Sequence, residues 1–468
     1  MSNELLEERA RTIERALSRI GQPISEEEVC RLEAREQCEC RRGMFALAAT
    51  RRQMFGGAGL VAAVGMTAML PNAVQAKAPP GAVEYDVPDD PTKEQGRVMG
   101  VDGGYGSRSQ FESEVRWSAP TKTASFTPMQ SGYGIVTPSG LHYERHHAGI
   151  PNIDPAKHRL IIHGLVDRPM KYSLADLKRF PTVSRTYFME CSGTTGRELM
   201  KATELTVQRT HGLVSTSEWT GVPLSTLLKQ TGLKADAAWV LAEGADAAVM
   251  TRSVPLDKCL SDALVVFAQN GEAVRPEQGY PMRLFLPGWE GNISIKWLRR
   301  LEVSDKPFFT REETSKYTDL ITKTGKARMF TFTMEAKSVI TFPSGAMKLP
   351  GAGFYEITGL AWSGRGKIAR VEVSLDGGKT WSLATLQDPV LPICQTRFRF
   401  PWIWEGQPVV IQSRATDDTG YTQPTHQQLI AERGPLEPPA GAQVYHMNAI
   451  QSWGIAADGS VKNVHPFG

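Results

Sequence analysis

Short apolar runs alternate with helix-like stretches between residues 126 and 325. Ser173 is a residue type that often caps a helix, and Gly232 is one that often ends it. The pattern predicts strands over 159–164, 239–242 and 264–267, and short helices over 173–180 and 222–231. Strands and helices mixed in this way indicate an α+β domain over residues 126–325.

The pattern changes after residue 325. Polar and apolar residues alternate strictly over 353–359 and 368–374, which is typical of half-buried strands. Asp376-Gly377-Gly378 then predicts a hairpin turn, and 408–414 predicts a further strand. Short strands with turns between them indicate a β-sandwich of about 100 residues, which we place over 326–431.

Two segments flank these domains. Residues 77–125 are rich in Pro, Gly and charge, and we expect an extended arm with little core of its own. Residues 432–468 begin with several prolines and are expected to form a C-terminal tail packed on the surface.

The N-terminal region has the parts of an export signal. Arg51-Arg52 precedes an uncharged apolar run over 56–70, and small residues follow near Ala76. Paired arginines are typical of the twin-arginine type, which exports folded proteins, so 50–76 predicts a periplasmic location. An uncleaved membrane anchor is the alternative. Residues 1–49 form an N-terminal extension to which the sequence assigns no role.

Charge and cysteine content narrow the possible functions. The formal net charge is +3, from 53 Lys and Arg against 50 Asp and Glu, which argues against nucleic acid as a main partner. Processing after residue 76 would leave Cys191, Cys259 and Cys394. An odd number leaves at least one thiol unpaired. We expect Cys259 and Cys394 to be small buried residues.

Four places carry candidate chemistry. Cys191 follows an apolar strand and opens a loop, where its sulfur can leave the sheet, although a core cysteine fits the pattern equally well. The cluster Arg145-His146-His147 is compact and cationic, and its alternative is a solvated basic patch. Arg283 and Lys296 lie in a glycine-rich stretch and could bind an anion. Tyr317 stands in a polar stretch, where packing is the usual role of a tyrosine.

Taken together, these places resemble a known family. From about residue 140 to 430, the chain is similar to the sulfite oxidases and their bacterial relatives. The motifs that carry the resemblance are Arg145-x-His147-x-x-x-Pro151-Asn152-x-Asp154-Pro155, Cys191, Gly279-Tyr280-Pro281-x-Arg283, Pro287-Gly288, Lys296-Trp297, Tyr317, Ala361-Trp362-Ser363-Gly364 and Val373-Ser374-x-Asp376-Gly377-Gly378-x-Thr380-Trp381.

The resemblance implies a molybdopterin-binding α+β domain followed by an immunoglobulin-like dimerisation domain. It also implies a molybdenum–molybdopterin cofactor, with Cys191 as the thiolate ligand of the metal. Arg145 and Tyr317 would act on the substrate, together with Cys191 at the catalytic centre. The cofactor-binding residues it implies, besides Cys191, are His147, Gln278, Arg283 and Lys296.

Two departures from the sulfite oxidase pattern point to a subfamily. Thr194-Thr195 stands where the family usually carries Asn and then basic residues, and Gln278 replaces a histidine. Fewer cations near the metal make free sulfite dianion a less suitable substrate. The combination, with the tail segment 445–453, resembles the SoxC-type sulfane dehydrogenases.

The SoxC-type resemblance implies a substrate and partners. The substrate would be a sulfane sulfur on a cysteine of a carrier protein, within a thiosulfate-oxidation system. The chain has no Cys-x-x-Cys-His motif, so no c-type haem is expected in it. Electrons would therefore pass to a separate cytochrome c subunit, in a homodimer or a heterotetramer.

Two alternatives remain open at this point. The same fold and site would serve a sulfite dehydrogenase that acts on free sulfite. From a different class, the chain could be a non-catalytic assembly or binding subunit that keeps the fold.

Overall fold

The structure is a computed structural model that describes residues 108–109, 111–196, 198, 205–321, 324–433 and 446–464. The predicted extension 1–49 and export signal 50–76 lie outside these residues. Residues 77–107 of the arm and 434–445 of the tail also lie outside them. None of the helices in the described part is long and apolar enough to cross a membrane.

Strands dominate the part of the chain before residue 330. They are β1 (Trp117–Ser118), β2 (Ala124–Phe126), β3 (Glu144–Arg145), β4 (Leu160–Gly164), β5 (Met170–Tyr172), β6 (Val183–Glu190), β7 (Val214–Pro223), β8 (Trp239–Gly244), β9 (Thr251–Pro255), β10 (Leu264–Gln269), β11 (Glu272–Ala273), β12 (Arg283–Phe285), β13 (Leu298–Ser304), β14 (Asp319–Ile321) and β15 (Lys326–Arg328). The α-helices here are short: α1 (Leu174–Leu177), α2 (Val207–His211), α3 (Leu224–Thr231) and α4 (Leu256–Ser261).

These strands form two five-stranded sheets and two small ones. The first large sheet has the order β11-β10-β7-β6, with β12 also paired to β10. The second has the order β5-β4-β13-β8-β9, in which β4 and β13 run parallel. The small sheets are β1-β2-β3 and the hairpin β14-β15. Helices α3 and α4 contribute leucines to the apolar core beside the second sheet. This is the α+β domain that the sequence predicts.

The second domain is a β-sandwich. Its strands are β16 (Lys337–Phe342), β17 (Gly353–Trp362), β18 (Ile368–Ser374), β19 (Ser382–Leu383), β20 (Thr385–Leu386), β21 (Thr396–Trp404), β22 (Val409–Asp417), β23 (Ser452–Ile455) and β24 (Val461–Asn463), and its helix is α5 (His426–Arg433). The sheets have the orders β16-β17-β21-β20 and β19-β18-β22-β23-β24. The predicted turn at Asp376 joins β18 to β19, with Gly377 and Gly378 at φ of 72° and 90°.

The structure changes the expected ends of two elements. The helix predicted over 173–180 ends at Leu177. Pro181 follows Phe180 and disfavours helical backbone at that residue, although Ser173 caps the helix as expected. The helix predicted from Val222 begins at Leu224, because Val222 still pairs with β10.

The arm and the tail both belong to sheets. The arm was expected to have little core, but β1 and β2 pair in it, and β2 also pairs with β3. The tail was expected on the surface, but β23 and β24 complete the second sheet of the sandwich. Trp453 of β23 is fully buried in that core. The sandwich therefore extends beyond residue 431.

Candidate active site

All seven residues that the sequence predicts for the site line one cavity. The cavity lies where the ends of several strands meet, so residues far apart in sequence face each other. The seven residues are Arg145, His147, Cys191, Gln278, Arg283, Lys296 and Tyr317.

Cys191 directly follows β6. Its backbone N–H donates to the carbonyl of Leu213 at 2.9 Å, which continues the β6–β7 pairing by one residue. The thiol is free and lines the cavity. Burial raises its pKa, whereas the backbone of Gly193 and the charge of Arg145 act in the opposite direction. A bound metal ion would favour the thiolate form. The other thiols, Cys259 and Cys394, are buried as expected.

Thr194 and Thr195 do not line the cavity. Both are buried, and their hydroxyls donate to backbone carbonyls, Thr194 to Leu213 and Thr195 to Met447. Their effect on the site is therefore indirect. They stand where the family usually has Asn and then basic residues, and they add no positive charge.

Arg283 and Lys296 bring positive charge into the cavity wall. The guanidinium of buried Arg283 donates to the carbonyls of Gln278 and Ser294, both at 2.9 Å, and its Nε has no hydrogen-bond partner among the described residues. The Lys296 ammonium donates to the carbonyls of Arg145 and Glu277, both at 3.0 Å. Within the described part of the chain, neither side chain pairs with a carboxylate.

Cations without a counter-charge are costly to keep away from water. Burial lowers the pKa of Arg283 to about 10, and it lowers the pKa of Lys296 well below its ordinary value. An anion bound in the cavity would offset this cost. The two side chains are therefore suited to binding an anionic group.

His146 takes part in the same cluster, although the sequence pointed to its neighbour. Its Nδ1 accepts a hydrogen bond from Lys296 Nζ at 2.8 Å, and its Nε2 donates to a Glu144 carboxylate oxygen at 2.9 Å. His147, which is expected to contact the cofactor, lines the cavity and forms a 3.1 Å hydrogen bond between its Nε2 and the Tyr317 hydroxyl. His146 belongs to the same three-residue cluster, and that is the signal that could have found it.

Tyr317 follows a single π-helical turn, Glu312–Lys316. Its ring packs on the Arg252 guanidinium, 4.9 Å from the ring centre, and Arg252 Nε donates to Glu313 at 2.7 Å. The pKa of His147 is lowered to about 4, first by desolvation at the cavity wall and then by the charge of Arg145. The imidazole is therefore neutral at pH 7, and in the tautomer that carries its proton on Nε2 it donates to the Tyr317 oxygen.

Comparisons with known proteins agree with this geometry. Residues 147–311 match the model of the oxidoreductase molybdopterin binding domain, and residues 328–451 match that of the Mo-co oxidoreductase dimerisation domain. The structure of the sulfane dehydrogenase SoxCD from Paracoccus pantotrophus superposes with a TM-score of 0.74 and 44% sequence identity. The alignment covers 80% of this chain and 96% of that one. The chain belongs to the sulfite oxidase family of molybdoenzymes.

More distant relatives in this family are eukaryotic nitrate reductases. The NADH nitrate reductase of Solanum lycopersicum is 32% identical over 345 residues, which is 62% of this chain and 36% of that protein. The enzyme of Ulva prolifera is 32% identical over 278 residues, 53% of this chain and 32% of that protein. The chain thus spans about a third of the length of these curated relatives.

The residues of the cavity fit the molybdopterin cofactor of the sulfite oxidase family. The unpartnered Nε of Arg283 and the ammonium of Lys296 suit an anionic group, as the phosphate of a pterin would provide. Gln278 offers amide groups beside Arg283, although its Nε2 already donates to Tyr143 at 2.6 Å. Cys191 lines the same cavity and offers a soft sulfur ligand for a metal.

Proposed function

We propose that this protein oxidises a sulfane sulfur carried on the cysteine of a carrier protein and passes the electrons to a cytochrome c subunit. The observation that carries the proposal is the shared cavity, which brings the free thiol of Cys191 together with Arg145, Tyr317 and the cations Arg283 and Lys296. The 44% identity to a sulfane dehydrogenase over nearly its whole length supports the same substrate class.

The cofactor-binding residues would position the cofactor and would not themselves react. Cys191 would hold the metal through its thiolate, while Arg283 and Lys296, with Gln278 and His146 beside them, would hold the anionic end of the pterin. The bound cofactor supplies oxygen transfer and accepts two electrons per step. In each step the sulfur gains one oxygen that derives from water, and two protons and two electrons are released.

Arg145 and Tyr317 would act on the substrate. The Arg145 guanidinium donates to the carbonyls of Thr123 and His146, which fixes its direction beside the cavity. A fixed cation in a site with little water stabilises oxygens that become anionic as the sulfur is oxidised. The Tyr317 hydroxyl, held by His147, supplies a hydrogen bond at the same wall.

The charges of the cavity favour a substrate with less negative charge than free sulfite. Asp246 and Glu144 line the same cavity as the cations. Thr194 and Thr195 place no cation beside Cys191. A sulfur attached to a carrier protein brings less charge into such a site than a small dianion does.

The proposed location and assembly follow from the sequence and the second domain. The twin-arginine-type segment supports a periplasmic location and export in the folded state. A Mo-co oxidoreductase dimerisation domain supports oligomerisation. A homodimer, or a heterotetramer with the cytochrome subunit, would be consistent with the periplasmic location and with the dimerisation domain.

Steady-state kinetics with two substrates test the proposal. The purified protein is assayed with a c-type cytochrome and either a sulfur-loaded carrier protein or free sulfite. We expect turnover with the loaded carrier and little with sulfite. A carrier whose cysteine is blocked before loading is the control and should give no turnover. Fast turnover with sulfite alone would contradict the proposal and favour a sulfite dehydrogenase.

A further inference from the structure

Strand β6 is the wall between the cavity and the second domain. Successive side chains of a strand point to opposite faces. Met189 and Cys191 line the cavity. Phe188 packs into the core of the second domain, and Glu190 points the same way. The residue before the metal ligand is therefore directed away from the site and into the other domain.

Glu190 is held there by two side chains of the second domain. One carboxylate oxygen lies 2.5 Å from Lys337 Nζ, and the other accepts a hydrogen bond from Trp362 Nε1 at 2.7 Å. All three residues are at most 1% exposed. Lys337 begins β16 and Trp362 ends β17, and these two strands pair with each other. Two donors on one rigid sheet thus fix both oxygens of a single carboxylate.

The ion pair is not explained by stability alone. A buried ion pair stabilises a fold little more than a well-packed apolar pair would, because both charges must be desolvated. What the charged pair adds is direction, since hydrogen bonds fix the carboxylate in a way that apolar contacts do not. That direction is imposed one residue before Cys191.

The second domain also holds the chain on the other side of Cys191. The backbone N–H of His446 donates to the carbonyl of Ser192 at 3.2 Å. The hydroxyl of Thr195 donates to the carbonyl of Met447. Residues 446 and 447 lie within the region that matches the dimerisation domain. The loop that carries Cys191 is thus bonded to the second domain both before and after the thiol.

From this arrangement we infer that Glu190, Lys337 and Trp362 are positioning residues. Through them, the second domain fixes the position of the Cys191 sulfur. The dimerisation domain is then part of the active-site scaffold. This inference rests on Cys191 as the metal ligand, and it does not depend on which sulfur compound is the substrate.

The test compares three variants of the full-length, cofactor-loaded protein. Lys337→Met removes the ion pair, and Trp362→Phe removes one hydrogen bond and keeps an aromatic ring. Arg397→Met is the matched control. Arg397 is also buried in the second domain, and it donates to the first-domain carbonyls of Gly132 and Gly134, away from Cys191.

Three measurements report on the thiol. They are the thiolate-to-metal absorption band, the rate of Cys191 alkylation by iodoacetamide followed by mass spectrometry, and the separate values of kcat and KM. In Lys337→Met we expect a shifted band, faster alkylation, and a kcat lowered about 10- to 100-fold with KM nearly unchanged, the size of effect known for residues that support metal ligands. Trp362→Phe should change all three in the same direction, but less.

The control separates positioning from stability. Arg397→Met should lower the melting temperature and leave the band, the alkylation rate and kcat as in the wild type. The inference is overturned if Lys337→Met matches this control in all three measurements. If Lys337→Met does not fold, Trp362→Phe decides, and an unchanged band and alkylation rate would overturn the inference. If the wild type oxidises free sulfite and not the loaded carrier, the proposed function is contradicted. The comparison of the variants still tests the inference in that case.

Discussion

Single residues decide how the substrate side of the cavity works. Tyr317 is the clearest case, because its two contacts have different roles. The ring packs on Arg252, which supports the fold, and the hydroxyl meets His147 Nε2 at 3.1 Å, at the wall of the cavity. The two roles can be separated by removing the oxygen alone.

Replacing Tyr317 by Phe should therefore lower kcat by about 100- to 1,000-fold, the usual cost of removing one hydrogen-bond donor that stabilises developing charge. The melting temperature should change little, because the packing on Arg252 is kept. Tyr172→Phe is the matched control, since its buried hydroxyl has no hydrogen-bond partner among the described residues and lies outside the cavity. Equal kcat values for the two variants would refute a catalytic role of Tyr317.

At this scale, the residues predicted from the sequence were those that belong to a recognisable motif. All seven line the cavity. The roles of Asp246 and Arg252 were not predicted, because they come from contacts between distant parts of the chain, such as that of Arg252 with Glu313, 61 positions away. His146 was part of the predicted cationic cluster, but its bond to Lys296, 150 positions away, could not be read from that local pattern.

Individual elements show where local patterns are sufficient. The strand predicted over 368–374 is β18 without change, and Val371 and Val373 are buried while Arg370 is exposed. Helix α1 begins where Ser173 predicts it and ends early, before Pro181. The strands β23 and β24 were not predicted, because they are only four and three residues long and depend on pairing with β22 and with each other.

Strand β23 gives a prediction about stability. Trp453 is fully buried, donates from Nε1 to the carbonyl of Ile340 at 3.0 Å, and packs between the two sheets of the sandwich. Trp453→Ala should lower the free energy of unfolding by about 3 to 5 kcal/mol. Leu383→Ala, on the edge strand β19 and 68% exposed, should change it little. Urea unfolding measures both, and similar midpoints would contradict the burial of the tail strands in the core.

In the whole molecule, part of the core is shared, because the first domain contributes residues to the core of the second. Phe188 and Val214 of the first domain belong to the same buried cluster as Trp362 and Trp453 of the second. Polar contacts cross the same boundary, such as those of Glu190 with Lys337 and of Glu198 with Asn463. The sequence predicted two consecutive domains, but not this shared core, since it arises only when the domains pack.

The burial of the Glu198 carboxyl predicts a pH effect on stability. Burial raises the pKa of the Glu198 carboxyl from 4.5 to about 7. Between pH 4.5 and about 7 the Glu198 carboxyl is ionised in the unfolded chain and protonated in the folded chain. Its contribution to the free energy of unfolding is therefore fully present below pH 4.5 and is lost as the pH rises to about 7. The loss amounts to about 3 kcal/mol.

Glu198→Gln tests this effect, because it keeps an acceptor for Asn463 and cannot ionise. The variant should resemble the wild type near pH 4.5 and be more stable at pH 8. Chemical unfolding at a series of pH values measures the difference. Parallel profiles for the two proteins would show that Glu198 is not responsible.

The central claim is that Cys191 is the protein's ligand to molybdenum in this cavity. X-ray absorption at the molybdenum edge, on the loaded wild type and on Cys191→Ser, tests it most directly. We predict that the variant retains molybdenum and shows one sulfur fewer around the metal, because Arg283 and Lys296, the proposed anchors of the cofactor, are unchanged. An equal number of sulfur neighbours in the two proteins would contradict the assignment.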